Sequence, residues 1–236
     1  MTFSMKRMYA IFLKDLKDLS KNMFITSSML MPLLIAVLYS RMDELSIDMI
    51  YLVINLSFST IGVFVQSAII AEEKEKNTLR GLMLSPATIL EIFGGKSLVT
   101  FLLTLLTIIL SARLIDYEPS SISLIAIALI ISSVFYIGLG TLMGLLTKSV
   151  VEASVITLPI IFLFGFSTLL QTLINTYPIL SFIEYLPNVQ LAELAKEVQL
   201  GAGIEDIWGY LAIILVWGIG IWLLTTWFYK KKETAG

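Results

Sequence analysis

The segment EEKEKNTLRGLMLSPATILEIFGGK, residues 72–96, is a charged stretch between two apolar runs, each long enough to cross a bilayer. It opens with the mixed acidic and basic residues Glu72–Lys76 and later reaches Ser85-Pro86, a pair that commonly starts a helix. Charges at this density are expensive in hydrocarbon, so the segment belongs at a membrane surface. The pattern predicts a polytopic membrane protein with an exposed connection after its second span.

The composition points the same way. Of the 236 residues, 57% are hydrophobic and 14% are charged, and the mean hydropathy is +0.90. Soluble domains carry about 25% charged residues, so these values indicate an integral membrane protein. Cysteine and histidine are absent, which excludes disulfides, thiol nucleophiles and the usual zinc sites. We predict no metal site and no nucleic-acid partner.

Six apolar runs have about the 20 residues that a helix needs to cross the hydrocarbon core. An even number of spans puts both termini on one side of the membrane. Most Lys and Arg residues fall on that side, against Arg41, Arg113 and Lys196 on the other, so the positive-inside rule predicts cytoplasmic termini in a plasma-membrane protein. The predicted spans are residues 22–40, 49–71, 97–115, 122–146, 153–174 and 207–229.

Two further elements complete the predicted all-α fold, a single transmembrane domain. In residues 4–21, apolar residues recur at helical spacing opposite a basic arc, which predicts a helix in the cytoplasmic interface. A cytoplasmic extension of the first span is the alternative. Residues 175–206 form a long outer connection. Its apolar stretch, the break at Pro187-Asn188 and an amphipathic run closed by Gly201 predict a re-entrant helical hairpin.

The charged segment has a predictable local structure. Asn77 is expected to adopt the left-handed conformation that ends a helix, because asparagine tolerates it better than most residues. Thr78 can then cap a short helix. Ser85 with Pro86 predicts the start of another helix, which Gly94-Gly95 is expected to end before the third span.

These residues carry a family resemblance. The run E-x-E-x-x-T-L-x-x-L-x-x-S-P, followed by E-I-x-x-G-K, resembles the signature between the second and third spans of ATP-binding-cassette transporter permeases of the type-2 export class. The six-span plan, the interfacial helix and the outer hairpin are similar as well. Asn77 stands where that family commonly has glycine, and Arg80 where it commonly has an acidic residue. Asparagine can replace glycine at a left-handed position at modest cost.

The resemblance implies that residues 72–96 form a coupling region, which contacts a separate ATPase subunit and transmits its movement. ATP and Mg²⁺ would then bind on that partner and no cofactor on this chain; the nearest approach to a phosphate-binding loop, Gly95-Lys96-Ser97, lacks the first glycine. A charged loop that only fixes topology is the alternative. The implied contact residues are Glu72, Glu73, Glu75, Lys76, Asn77, Thr78, Leu79, Arg80, Leu82, Ser85 and Pro86.

Other polar and small residues have candidate roles. Residues 147–152, in which Lys148 and Glu152 are spaced i and i+4, are a second contact candidate or a solvated loop. Gly140 and Gly144 form a G-x-x-x-G pattern typical of close helix packing. Candidate residues of a substrate path are Asn55, Ser59, Gln66, Phe164 and Gln171. The alternatives are hydrogen bonds between helices for the amides and packed or lipid-facing bulk for the aromatic.

The expected function is that of a permease subunit of an ATP-driven exporter. It would pair with a second permease, identical or different, and with the ATPase subunit, and would export an amphipathic substrate such as a peptide. Export of drugs, lipids or ions by the same class is the nearest alternative. A gradient-driven transporter is less favoured because no charge lies deep in a predicted span, and a membrane enzyme because the chain has no acidic metal-binding motif and no histidine.

Overall fold

The computed structural model of the chain describes residues 3–167, 171 and 178–233, and these residues are almost entirely helical. No strand occurs within the described part of the chain. In chain order the α-helices are α1 Met5–Lys21, α2 Met23–Ser28, α3 Leu30–Tyr39, α4 Ile47–Ser57, α5 Gln66–Glu75, α6 Thr78–Met83, α7 Ile89–Leu114, α8 Ile122–Leu146, α9 Val150–Gly165, α10 Pro187–Gln199 and α11 Ile204–Glu233.

Within the described residues, four helices are long and apolar enough to cross a membrane, or up to five if the bent pair at the N-terminus counts as one span. The four are Ile47–Glu75, α7, α8 and α11 through Tyr229. They confirm the all-α membrane fold. The predicted number of six spans is not confirmed, because the first predicted span consists of two shorter helices and the fifth is described only in part.

The centre of the bundle is the second predicted span. The helices α4 and α5 join through a π-helical stretch, Phe58–Val65, into one helix of 29 residues, Ile47–Glu75, which we call the central helix. The apolar part of the central helix is wholly buried by the rest of the chain. Hydroxyls lie at the entry to the π-helical stretch, where Ser59 Oγ donates to Asn55 O at 2.8 Å; such bonds to the preceding turn loosen regular α-helical pairing.

Helix α8 packs against the central helix through its glycines, as the G-x-x-x-G pattern predicts. A Cβ at Gly140 would lie 2.6 Å from Val63 O, and one at Gly144 would lie 2.7 Å from Ile70 Cβ. Only glycine permits an approach this close. The ring of Tyr136 on α8 stacks on Phe58 at 4.7 Å between centroids, and α11 covers the opposite side of α8.

The first predicted span, 22–40, consists of the two shorter helices α2 and α3. They break at Met29 because Pro32 has no N–H to donate to the carbonyl four residues earlier. The α2–α3 pair is bent by 83° from α1. Helix α1 therefore lies across the direction of the first predicted span, and it packs on the start of α7.

The start of α7 corrects one expectation. The prediction that Ser85-Pro86 starts a helix and that Gly94-Gly95 ends it is wrong, since α7 runs unbroken from Ile89 to Leu114. Its cap is Thr88, whose Oγ1 accepts from Glu91 N while the Glu91 carboxylate accepts from Thr88 N. The two glycines instead admit α1, because a Cβ at Gly95 would lie 2.8 Å from Met8 O.

The fifth predicted span, 153–174, is described only in part. Helix α9 covers Val150–Gly165. Beyond Ser167, residues 168–170 and 172–177 lie outside the described residues. The long connection before α11, from 178 onward, contains a 3₁₀ helix at Pro178–Tyr185 and then α10, with Pro187 as its first residue. Gly201 follows in the left-handed region at φ 96°.

The long connection before α11 is fastened to the Ile47 end of the central helix. Lys196 on α10 pairs with Asp48 at 2.8 Å and with Glu193 at 2.9 Å. Partial burial lowers the pKa of Lys196, but the hydrogen bonds to Asp48 and Glu193 outweigh it and raise the pKa above its ordinary value. We call this end of the bundle the Asp48 end, and the opposite end the Glu73 end.

Candidate functional site

At the Glu73 end, a tight turn at Asn77 connects the central helix with the short helix α6. The central helix stops at Glu75, and Asn77 takes the left-handed conformation at φ 56°, as its residue type predicts. Thr78 begins α6, and its Oγ1 donates to Glu73 Oε2 at 2.6 Å. The direction of α6 is therefore fixed to the last turn of the central helix by a turn residue and a hydrogen bond.

Beneath α6 lies an ion cluster, defined as Lys14, Asp15, Glu73 and Lys96, in which all but Lys14 are buried. The Lys96 side chain is 0% exposed, and its Nζ donates to Asp15 Oδ2 at 3.0 Å and to Glu73 Oε1 at 3.1 Å. Lys14 adds a second ammonium on Glu73. Each buried charge thus has an opposite charge within hydrogen-bond distance, which is the condition for tolerating ions away from water. The ion cluster ties α1, the central helix and α7 together.

A second ion pair fixes the N-terminus of α1 to the start of α7. Arg7 Nε donates to Glu91 Oε2 at 3.0 Å and Arg7 Nη2 donates to Glu91 Oε1 at 2.8 Å, the bidentate geometry that suits guanidinium and carboxylate. Glu91 also accepts from the backbone N–H groups of Ser4 and Thr88. The same carboxylate therefore caps α7 and anchors α1.

The connection between α8 and α9, residues 147–149, lies beside the charged segment. Lys74 Nζ donates to Leu145 O at 2.9 Å and to Thr147 O, so its charge lies at the C-terminus of α8, where cations are favoured. Glu75 Oε2 accepts from Val150 N at 3.0 Å at the N-terminus of α9. Adjacent residues of the central helix thus join both ends of this connection.

Most of the predicted contact residues lie on the surface of the Glu73 end. Glu75, Lys76, Asn77, Thr78, Pro86 and Lys148 are exposed, while Glu72, Leu82, Ser85 and Glu152 are partly buried. The backbones of Leu79 and Arg80 belong to α6, but their side chains lie outside the described part.

Several of the predicted contact groups already have partners within the chain. Glu73 is 4% exposed, so it can meet a partner only by leaving the ion cluster. Glu152 Oε2 accepts from Lys148 N at 2.6 Å and thereby supports the start of α9. Lys76 donates to Glu72 at 2.6 Å, and this hydrogen bond raises the pKa of Lys76.

The candidate path residues lie inside the chain. Asn55, Ser59 and Gln66 are 0% exposed and Phe164 is 7% exposed, and Gln171 is partly buried. Gln66 Oε1 accepts from Thr100 Oγ1 at 2.5 Å, and its Nε2 donates to Thr141 Oγ1 at 2.9 Å. Gln66 therefore forms hydrogen bonds between helices, which the sequence analysis gave as the alternative to a place on the substrate path.

Asn55 also bonds between helices. Its Nδ2 donates to Asn188 O at 3.1 Å, which connects the central helix with the first turn of α10. Phe164 packs its ring against Tyr136 at 6.0 Å between centroids, within the aromatic core rather than on an outer wall.

Sequence reasoning missed several of these residues. Asp15 lies four residues from both Ile11 and Leu19, which are buried on the same face of α1; that i, i+4 spacing was a usable signal. The role of Asn188 had no such signal, since its bonds depend on the packing of three separate elements. Within the described residues, no group of three or more Asp or Glu side chains is arranged to hold a metal ion.

The fold and the Glu73 end define a class: a multi-pass helical membrane protein with a braced, charged connection after its central helix. The family model described as ABC-2 family transporter protein matches residues 39–227, and the chain belongs to that family. It is accordingly the membrane component of an ATP-binding-cassette exporter and not its ATPase. No curated protein matches the chain.

Proposed function

We propose that the chain pairs with a second permease and with a separate ATPase subunit, and that α6 with its flanking turns docks on the ATPase. The support is the exposure of Asn77 and Thr78 together with the open space around Gly81, where an added Cβ would meet no described atom within 4 Å. A short helix with one open face, held to its own chain through Thr78, is suited to a groove in another subunit.

Movement of α6 would reach three helices through the ion cluster. Thr78 holds α6 to Glu73, Glu73 bonds to Lys96 on α7, and Lys96 bonds to Asp15 on α1. Separating the charges of a buried ion pair costs much free energy. The central helix, α1 and α7 therefore move together more readily than apart. We propose that the ion cluster is the joint through which closure of the ATPase tilts the central helix.

The connection between α8 and α9 belongs to the same docking surface in this proposal. Lys74 and Glu75 bond to its two ends, so a partner that contacts α6 also reaches Lys148. The pair Lys148 and Glu152 then supports the edge of the surface, and α6 provides its centre.

We propose that the Glu73 end and both termini face the cytoplasm. Lys and Arg residues cluster at that end, in α1, in residues 72–96 and at Lys230–Lys232, which is the distribution that the positive-inside rule requires. In this orientation α10 and the 3₁₀ helix lie at the outer face, where the buried first turn of α10 supports a re-entrant arrangement. ATP would be present on the side where the ATPase binds.

We propose an amphipathic cargo, with a peptide as the leading candidate. Phe164, Asn55, Gln66 and Ser59 are packed inside the chain, so they would meet such a cargo only after the helices separate. Their apolar and hydrogen-bonding groups would then suit it. An ion-gradient mechanism is less supported, because the central helix carries no charge between Asp48 and Glu72.

The docking proposal is tested by co-purification of the ATPase subunit with two matched glycine variants. Gly81→Trp adds bulk to α6, and Gly209→Trp adds the same bulk at the Asp48 end, where a Cβ also meets no described atom within 4 Å. We expect Gly81→Trp to lose the ATPase while Gly209→Trp retains it, with both variants folded. Retention by both variants would reject α6 as the docking element.

A further inference from the structure

All four residues of the first turn of α10 are buried, whereas its last turn is buried on one face only, at Val198. Asn188 is 0% exposed and Val189 is 1% exposed, but Leu200, one residue past the helix, is 84% exposed. A helix that enters the protein with its first turn must satisfy the polar groups of that turn internally. The hydrogen bonds of Asn188 therefore hold the first turn of α10 inside the protein.

Asn188 bonds to two other elements at once. Its backbone O accepts from Asn55 Nδ2 at 3.1 Å, and its side-chain Nδ2 donates to Phe164 O at 2.7 Å and also to Ser167 Oγ. We call these four residues, Asn55, Phe164, Ser167 and Asn188, the amide latch. Asn55 belongs to the central helix, and Phe164 belongs to α9.

The two helices that hold the amide latch also meet at the opposite end of the bundle. There Glu75, the last residue of the central helix, accepts from Val150 N at the start of α9 at 3.0 Å. From Asn55 to Glu75 the central helix is continuous and spans about 30 Å at 1.5 Å per residue. A change in the angle between these helices at the Glu73 end therefore changes the spacing of the groups that hold Asn188.

Two polar atoms of the amide latch lack hydrogen-bond partners among the described residues. Asn55 Oδ1 and Asn188 Oδ1 are buried and have no hydrogen-bond partner among the residues that the structure describes. A buried acceptor without a donor disfavours the arrangement that buries it, and water relieves that cost once α10 withdraws. The closed position is thus held by three hydrogen bonds and opposed by two unmatched oxygens.

We propose that Asn188 is a positioning residue that holds α10 closed against the central helix and α9, and that movement at the Glu73 end releases it to open the outer side of the path. The release step rests on the proposed function. The holding step does not, because it concerns contacts within this chain. The two steps can therefore be tested separately.

The chain contains no cysteine, so a single introduced thiol can report the position of α10. Ala192 is 0% exposed and lies one turn after Asn188, and Ala192→Cys adds only a sulfur. In the isolated chain in lipid nanodiscs, we expect slow labelling by a water-soluble maleimide. Asn188→Ala should raise the rate about tenfold, and Asn55→Ala, which removes one bond rather than two, should raise it less.

The matched control is Gln199→Ala, which removes a hydrogen bond between Ser120 and the exposed end of the same helix. It should leave the labelling rate unchanged. Labelling that is equally slow in Asn188→Ala, Asn55→Ala and the parent would overturn the holding role. Should Asn188→Ala not fold, the Asn55→Ala rate alone decides in the same way.

The release step is tested in the complex with the ATPase subunit. In the parent, we expect ATP turnover to speed labelling of Ala192→Cys; in Asn188→Ala, labelling should be fast without ATP while ATP hydrolysis continues. Labelling that stays slow and ATP-independent in the parent, with the ATPase bound and active, would overturn release. Absence of a bound ATPase would instead count against the proposed function and leave the nanodisc result standing.

Discussion

At the scale of single residues, the ammonium of Lys96 lies wholly buried between the carboxylates of Asp15 and Glu73. Removing one partner of a buried ion pair leaves an uncompensated charge and costs about 3–5 kcal/mol. We therefore expect Lys96→Met to lower the thermal denaturation midpoint in detergent strongly. Lys17→Met, a matched change at an exposed lysine of α1, should alter stability by no more than about 0.5 kcal/mol.

The Lys96 comparison also measures whether the ion cluster is a structural joint. Equal midpoints for Lys96→Met and Lys17→Met would contradict that role. A stable Lys96→Met protein that still carries α1 in place would show that Arg7 and Glu91 suffice to anchor it.

Asn77 gives a second test at this scale. At φ 56° a residue with an ordinary side chain is strained by roughly 1–2 kcal/mol, and glycine is not. We expect Asn77→Ala to lower the denaturation midpoint and Asn77→Gly to leave it close to that of the parent. The same midpoint in both variants would mean that the turn before α6 can relax without cost.

Single residues show how far sequence reasoning reaches. The left-handed turn at Asn77 was predictable because backbone preference is a local property of the residue. The bridging of Asp15 and Glu73 by Lys96 was not, since the three residues lie far apart in the sequence and meet only after α1 folds over α7. The buried face of α1 alone could have singled out Asp15.

At the scale of elements, the contact between α1 and α7 depends on Gly95. A Cβ there would lie 2.8 Å from Met8 O and 3.0 Å from Ile11 Cβ, and such overpacking costs about 1–3 kcal/mol. We expect Gly95→Ala to speed amide hydrogen exchange throughout Met5–Lys21. Gly220→Ala in α11, where a Cβ meets no described atom within 4 Å, makes the same helix-favouring change and should leave α1 protected.

Protection of α1 that is identical in Gly95→Ala and Gly220→Ala would contradict the close approach. A second possible result, loss of protection in both variants, would trace the effect to helix propensity rather than to the contact.

The start of α7 shows why a helix that is predicted from a sequence motif can be given a wrong first residue. Ser85-Pro86 carries a plausible helix start, but Thr88 and Glu91 form a reciprocal capping box three residues on, and the helix begins there. Gly94-Gly95 looked like a stop because glycine weakens helices in isolation. Packing of α1 against the two glycines reverses that preference, and a single sequence does not reveal such a neighbour.

At the scale of the whole molecule, the central helix explains the arrangement of the rest. It is the most buried of the long helices among the described residues, its Glu73 end joins α1, α7 and the start of α9, and its Asp48 end meets α10. An all-helical membrane fold was predictable from apolar run length. The predicted six spans stay unconfirmed, because hydropathy does not reveal the break at Met29 that divides the first span, and the fifth is described only in part, by α9.

The most direct measurement of the central claim, that α6 is the cytoplasmic docking element for an ATPase subunit, is labelling of single cysteines by a membrane-impermeant maleimide. The positions are Gly81→Cys and Gly209→Cys, placed in open space at opposite ends of the bundle. In inside-out vesicles, we predict that Gly81→Cys reacts, that added ATPase subunit protects it, and that Gly209→Cys does not react. Reaction of Gly81→Cys only from the outer side, or at a rate that the bound ATPase leaves unchanged, would contradict the account.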